Sequence, residues 1–206
     1  MENFEKLIKK SKQRLVVEGP EDFLKLLKGI KDPVIEIAGP TKGGYPFIGI
    51  SDLKSFFEKV FISNIVIDQP VYDKGSFSGY ERLDLDLLAS AINLPFQDET
   101  IGAVFCSYLP KTREPSPYVI DPNERSKFTM TQLTADMIRG KEISPLRKNA
   151  IEEAYRVLKR NGFLIWQGGE EVDYKFAEQL GFRIIKLVEK CDDLGNFTYD
   201  FVAQKI

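Results

Sequence analysis

The run Glu36-Ile37-Ala38-Gly39-Pro40-Thr41-Lys42-Gly43-Gly44 places a carboxylate and a glycine-rich loop at the end of a short apolar segment. Open α/β sheets bind ligands at the carboxyl ends of their strands, so such a tip is a candidate site. Spacing excludes two phosphate chemistries. A nucleotide P-loop needs Gly-Lys-Ser/Thr, and here Lys42 precedes its glycines. A dinucleotide fingerprint needs a glycine two residues after the first, where Thr41 stands. A ligand without pyrophosphate does not impose that glycine. A plain strand-to-loop turn is the other reading of this segment. A second carboxylate, Asp68, closes the apolar run NIVID.

The chain has no histidine. That removes Ser-His-Asp and Cys-His nucleophile chemistry, the commonest metal ligand and the commonest general base. Proton transfer falls to Asp, Glu, Tyr, Lys or Cys, or needs no protein base. No catalytic residue is assigned. Cys106 and Cys191 form neither a disulfide framework nor a metal spacing, so no metal is expected and a reduced, cytoplasmic setting is the simplest reading. Tyr45, Tyr108 and Tyr118 could line a pocket or act as acids, although packing is the commoner role. Glu170 and Glu171 could face a cleft, but such pairs are more often solvated. Trp166 reads as core.

These residues need elements to position them. Residues 3–14 read as a short amphipathic helix, and a second helix starts at Gly19-Pro20 and stops near Gly29. PVIEIAGP suits a buried strand. SDLKSFFEKV suits a helix capped by Ser51 or Asp52. NIVID, LDLDLLASA and IGAVFCSYL read as strands two to four. Residues 146–160 form an amphipathic helix closed by Asn161-Gly162, GFLIWQGG is strand five, and VDYKFAEQLGF is a helix ending at Gly181. RIIKLVEK and TYDFVAQKI suggest an antiparallel hairpin. The class is α/β: a Rossmann-like, mainly parallel sheet with helices on both faces and a C-terminal antiparallel strand pair. Residues 1–32 read as an N-terminal helical extension and 33–206 as the main domain. Residues 110–145 hold five prolines and little β pattern, and read as a lid or substrate-wall insertion.

With 206 residues, 43% of them hydrophobic, the chain can build one core. A net charge of -2 gives no strong pull toward nucleic acid or anionic membrane, which leaves room for a local basic patch. No apolar stretch reaches the roughly 18 residues of a membrane span. Oligomeric state is not legible.

Three blocks carry a resemblance. ASAINLPFQDETIGAVFCSYL resembles the Asp-Ala-x-x-Leu-Pro-Phe segment and following strand of class I S-adenosylmethionine-dependent methyltransferases, in a divergent, type 11-like form. AIEEAYRVLKRNGFLIW resembles that family's helix-turn-strand, and the Glu36 loop precedes both. The resemblance spans residues 33–206 and implies S-adenosylmethionine as cofactor, with a small molecule or a macromolecule as methyl acceptor. It implies that Glu36 holds the cofactor's amino acid end, with Ala38 and Gly39 packed close to the ligand. Asp68 would accept from the ribose hydroxyls, Ser90-Ala91 would contact adenine, and Cys106-Ser107 would lie beside the methyl donor and substrate. The chain departs from the pattern at Thr41, at Ser90 in place of aspartate, and at Gly102. Only about 15 residues separate the second and third expected strands, too few for the usual crossover helix. These departures support a second reading, a methyltransferase-like scaffold that serves as a binding or regulatory module. A sugar- or nucleotide-processing enzyme of the same fold is a third.

Overall fold

A computed structural model describes residues 12–17, 23–73, 76–107, 109, 143–191 and 197–206. In chain order the elements are β1 (Lys12–Val17), α1 (Phe23–Lys28), β2 (Val34–Ile37), α2 (Leu53–Phe56), β3 (Val60–Asn64), β4 (Asp68–Asp73), β5 (Ser76–Arg82), β6 (Leu87–Leu88) and β7 (Ile101–Ser107). They continue with α3 (Pro145–Val157), β8 (Leu158–Gly169), α4 (Glu171–Leu180), β9 (Phe182–Cys191) and β10 (Phe197–Lys205).

Eight strands form one sheet in the order β1-β9-β10-β8-β7-β2-β3-β6. Strands β8, β7, β2, β3 and β6 run parallel. β10 pairs antiparallel with both β8 and β9, and β1 pairs antiparallel with β9. From β2 the chain moves outward through β3 to β6, then returns to β7 on the other side of β2. The order therefore reverses between β2 and β7, the point where such sheets bind ligands.

Both faces of the parallel strands are covered, so β7 is buried along its whole length. On one face Ile35, Val104, Leu164 and Trp166 pack with Ala150, Ile151, Ala154 and Val157 of α3 and Ala177 of α4. On the other, Val34, Phe105 and Ile165 pack with Phe23 and Leu27 of α1 and with Tyr45. At six residues α1 is too short to persist alone. The edge-on contact of Phe23 with Phe163, centroids 5.9 Å apart, anchors it.

Five expected elements differ. Residues 12–14, the end of the expected first helix, lie in β1, where β9 supplies a ladder of backbone partners that overrides helical periodicity. The rest of that helix, and the start of the second, lie outside the described residues. The second strand is Val60–Asn64 rather than NIVID, because register with β2 pairs Val34 with Val60 and Ile37 with Ser63. Asn64 ends it: its side-chain Oδ1 accepts from the backbone N–H of Ile65 at 2.8 Å. That strand also takes the end of SDLKSFFEKV, leaving α2 four residues long, with Asp52 as its cap. The third strand is only Leu87–Leu88, and α3 ends at Val157 because Leu158 already pairs with Ile101. Between β3 and β6 stands the β4–β5 hairpin, a separate two-stranded sheet, where a crossover helix was missing from the sequence. Most of the expected lid, 110–142, lies outside the described residues. Ser144 at its end caps α3.

Candidate functional site

Glu36 sits near the C-terminal tip of β2 and its side chain is buried on the Tyr45 face. The chain beyond it turns sharply: Ala38 has φ 58, the Gly39–Pro40 bond is cis, and Gly43 and Gly44 have φ 80 and 65. A Tyr45–Ile50 bridge closes the loop. The loop folds back over the carboxylate. Glu36 Oε1 accepts from the Thr41 backbone N–H at 3.1 Å and from the Tyr45 hydroxyl at 2.9 Å. Oε2 has no hydrogen-bond partner among the described residues. Gly39 makes this possible, since a Cβ there would lie 2.6 Å from Glu36 Oε2.

The loop is tied to β3 as well. The Gly39 N–H donates to the Ser63 carbonyl at 3.0 Å, and Asn64 Nδ2 donates to the Gly39 carbonyl at 2.7 Å. Burial, with the Glu36 carboxylate adding to it, pushes the Tyr45 hydroxyl well above its ordinary range. Tyr45 is thus a fixed donor rather than an acid at neutral pH. Glu36, Thr41, Tyr45, Asp52, Lys54 and Asp84 are among the residues that line a cleft of about 170 Å³. Lys54 bridges Asp84 at 3.4 Å and Asp86 at 3.5 Å.

The other expected site residues scatter around this point. Ala38 and Gly39 are in the loop itself. Asp68 is not at a strand tip: Asn64 holds that position, and Asp68 opens β4, exposed and without a partner among the described residues. Ser90 and Ala91 follow β6. The Ser90 carbonyl accepts from Asn93, and Ala91 packs into the core. Around them the surface is apolar, with Ile65 68% and Leu88 64% exposed and Val66, Ile67 and Ile92 also open. Cys106 is fully buried, and burial pushes its thiol far above the usual range. It packs in the core opposite the Glu36 face. Ser107 is buried at the tip of β7, 3.4 Å from Gln167 Nε2.

Sequence reasoning missed a buried clamp at the same edge. Arg147 donates to the Leu109 carbonyl at 2.8 and 3.0 Å, to the Gly168 carbonyl at 3.4 Å, and to Asp173 Oδ2 at 2.6 Å. Asp173 Oδ2 also accepts from the Glu170 backbone N–H at 2.7 Å. The clamp therefore joins the ends of β7 and β8 to the start of α4. Burial raises the Asp173 carboxyl above the ordinary range, against the pull of Arg147. The one signal in the sequence is the Glu170–Asp173 spacing of a capping box. Glu171 is solvated and pairs with Lys175 at 2.5 Å. Tyr108 and Tyr118 lie outside the described residues. Among the described residues no group of three or more His, Cys, Asp or Glu is placed to hold a metal, and no helix is long and apolar enough to cross a membrane.

No protein-family model matches the chain, and no curated protein matches it. Solved structures do. An S-adenosylmethionine-dependent methyltransferase from Methanosarcina mazei is similar at 14% identity over 85% of this chain and 92% of that one, with a TM-score of 0.44. Geranyl diphosphate C-methyltransferase from Streptomyces coelicolor A3(2) is similar at 10% identity over 90% and 79%, TM-score 0.48. The chain also spans 66% of the length of a longer protein from Bacillus halodurans C-125, at 16% identity and TM-score 0.42.

Proposed function

We propose that the chain is an S-adenosylmethionine-dependent methyltransferase whose cofactor lies across the tips of β2, β3 and β6. The observation that carries this reading is the half-satisfied Glu36 carboxylate: Oε1 holds the loop, and Oε2 is left for a ligand cation. An ammonium pairs well with such an oxygen, because a charge-assisted hydrogen bond is about twice as strong as a neutral one. The position, beside the reversal of strand order, supports the same reading.

In this reading Glu36 Oε2 binds the amino end of the cofactor, and Gly39 and Ala38 bring backbone close to it. Asp68, exposed and unpartnered among the described residues, accepts from the ribose hydroxyls. The apolar surface of Ile65, Ile67, Leu88 and Ile92 around Ser90-Ala91 takes the flat face of the adenine. Ser107 lies at the β7 tip toward the acceptor side. The cofactor supplies an activated methyl group on a good leaving group. The chain supplies proximity and alignment, which are worth roughly 7–11 kcal/mol. A base is needed only when the acceptor atom must lose a proton. In this reading the chain works in the cytoplasm, where its two cysteines, Cys106 and Cys191, stay reduced.

The cleft of about 170 Å³ is smaller than the roughly 300–1,000 Å³ of most ligand sites, and this favours the second reading, a scaffold that no longer binds the cofactor. Isothermal titration with S-adenosylmethionine and S-adenosylhomocysteine separates the two. Saturable binding supports the enzyme. Silence from both ligands at millimolar concentration leaves the scaffold.

A further inference from the structure

A second hollow lies at the opposite edge of the sheet, at the N-terminal ends of β2, β7 and β8. It is an open groove of about 500 Å³, in the size range of small-molecule sites. Three backbone segments meet in its floor. A Cβ on Gly102 would lie 2.5 Å from Ile30 Cγ2, and one on Gly162 would lie 3.0 Å from the Gly102 carbonyl oxygen. The Gly102 N–H donates to the Pro33 carbonyl at 2.9 Å. Backbone is thus closely packed at the base of the groove.

Its charge departs from that of the chain. Overall, acids outnumber bases, 31 to 29. Around this groove stand Lys25, Lys31, Lys159 and Arg160 against a single carboxylate, Asp32. Asp32 is taken by Lys159. Lys31 and Arg160 are exposed and make no ion pair among the described residues. Two unpaired cations around a closely packed floor are an electrostatic demand for an anion, and a guanidinium fork matches a phosphate oxygen pair.

We propose that this groove binds a ligand carrying two or more phosphate groups. One phosphate does not fill about 500 Å³. Phosphates in series, from a free polyphosphate or a nucleic acid strand, occupy more of it and offer an anion to each of the two free cations. Glu36 pairs with Phe105 of β7, three residues and about 10 Å along the strand from Gly102 in this floor, and the two sites open at opposite ends of the strands.

The test uses the full chain at low salt. One arm titrates sodium tripolyphosphate by calorimetry, and the other follows a labelled short single-stranded RNA by fluorescence anisotropy. Saturable binding of either probe is expected. Tripolyphosphate alone identifies a free polyphosphate, and tighter RNA binding identifies a strand. Arg160→Glu with Lys31→Glu abolishes saturation, while the thermal unfolding curve and any methyl-donor affinity stay unchanged, since both side chains are exposed. With two phosphates neutralised, RNA affinity falls roughly sevenfold between about 50 and 200 mM salt. Absence of saturable binding in both arms, or binding that survives the double reversal, overturns the proposal.

Discussion

Tyr45 donates its hydroxyl hydrogen to Glu36 Oε1 at 2.9 Å, nine residues along the chain, with both groups buried. The bond fixes which carboxylate oxygen is spent on the fold and which is left for a ligand. Tyr45→Phe removes a donor from a buried carboxylate, so stability falls by about 1–3 kcal/mol. Urea unfolding at neutral pH measures it. Because the Tyr45 hydroxyl is held well above its ordinary range, wild-type cofactor affinity shows no tyrosine titration between about pH 6 and 9.

Glu36→Gln keeps the shape and can still accept from Tyr45, so the fold survives. It removes the charge offered to a ligand cation. Affinity for S-adenosylhomocysteine falls by about tenfold or more, the worth of a charge-assisted bond at roughly 1.5–3 kcal/mol. Calorimetry reads the change directly. An unaltered affinity would show that Glu36 serves the loop alone.

Gly39→Ala forces a Cβ to within 2.6 Å of Glu36 Oε2, a distance that the backbone around residue 39 must widen. Overpacking of this kind costs about 1–3 kcal/mol. Both ligand affinity and the unfolding midpoint drop, whereas Gly43→Ala, with open space beside it, changes stability through its positive φ alone.

Glu153 gives a pH prediction. Its carboxylate binds Arg156 at 2.7 and 2.8 Å and accepts from the Leu94 N–H at 2.7 Å, and the Arg156 hydrogen bond above all holds its carboxyl below the ordinary range. A depressed folded value means the stabilisation is full above the unfolded glutamate value, near 4.3, and disappears as pH falls through the folded value. In Glu153→Gln that part of the acid-induced loss is missing. Thermal unfolding at steps from about pH 7 to 3 compares the two chains.

Asp173→Asn removes the nearer counter-ion of the buried Arg147 guanidinium and leaves it only Glu170, at 3.7 Å. The expected loss is about 3–5 kcal/mol, larger than for any surface pair here. Chemical unfolding measures it, and a loss under about 1 kcal/mol would show that the four carbonyl and carboxylate contacts of Arg147 are not a clamp.

What was legible in the sequence followed strong local signals. Ile101–Ser107, α3, α4 and the β9–β10 hairpin are long, periodic or continuously apolar, so local pattern and tertiary packing agree. The run from Val60 to Asp68 is different. It holds two apolar stretches around Ser63-Asn64, and only pairing with β2 decides that Val60–Asn64 enters the sheet while Ile65–Ile67 stay outside. Register is a long-range property that no window of residues contains. The same slip hid Asn64, whose amide joins the two strand tips. Glu36 was readable because its place at a strand end is local. Tyr45 was not, because its role depends on a loop folding back through residues of positive φ. Cys106 and Ser107 are neighbours on a strand buried on both faces, and burial alone does not tell which of them faces the Glu36 side.

The β4–β5 hairpin forms its own small sheet, and its two ends leave the molecule together, since the Leu83 N–H donates to the Ile67 carbonyl at 2.7 Å. Chain that departs and returns through one doorway is a cassette. Its length and composition can vary without disturbing the register of β3 and β6, because closing a longer loop adds only about 0.6 kcal/mol per doubling. Asp68, at the cassette's threshold, would keep its place while the rest was exchanged, and the exposed Lys42–Glu81 pair at 2.6 Å is the tie between the cassette and the Glu36 loop that such an exchange would alter.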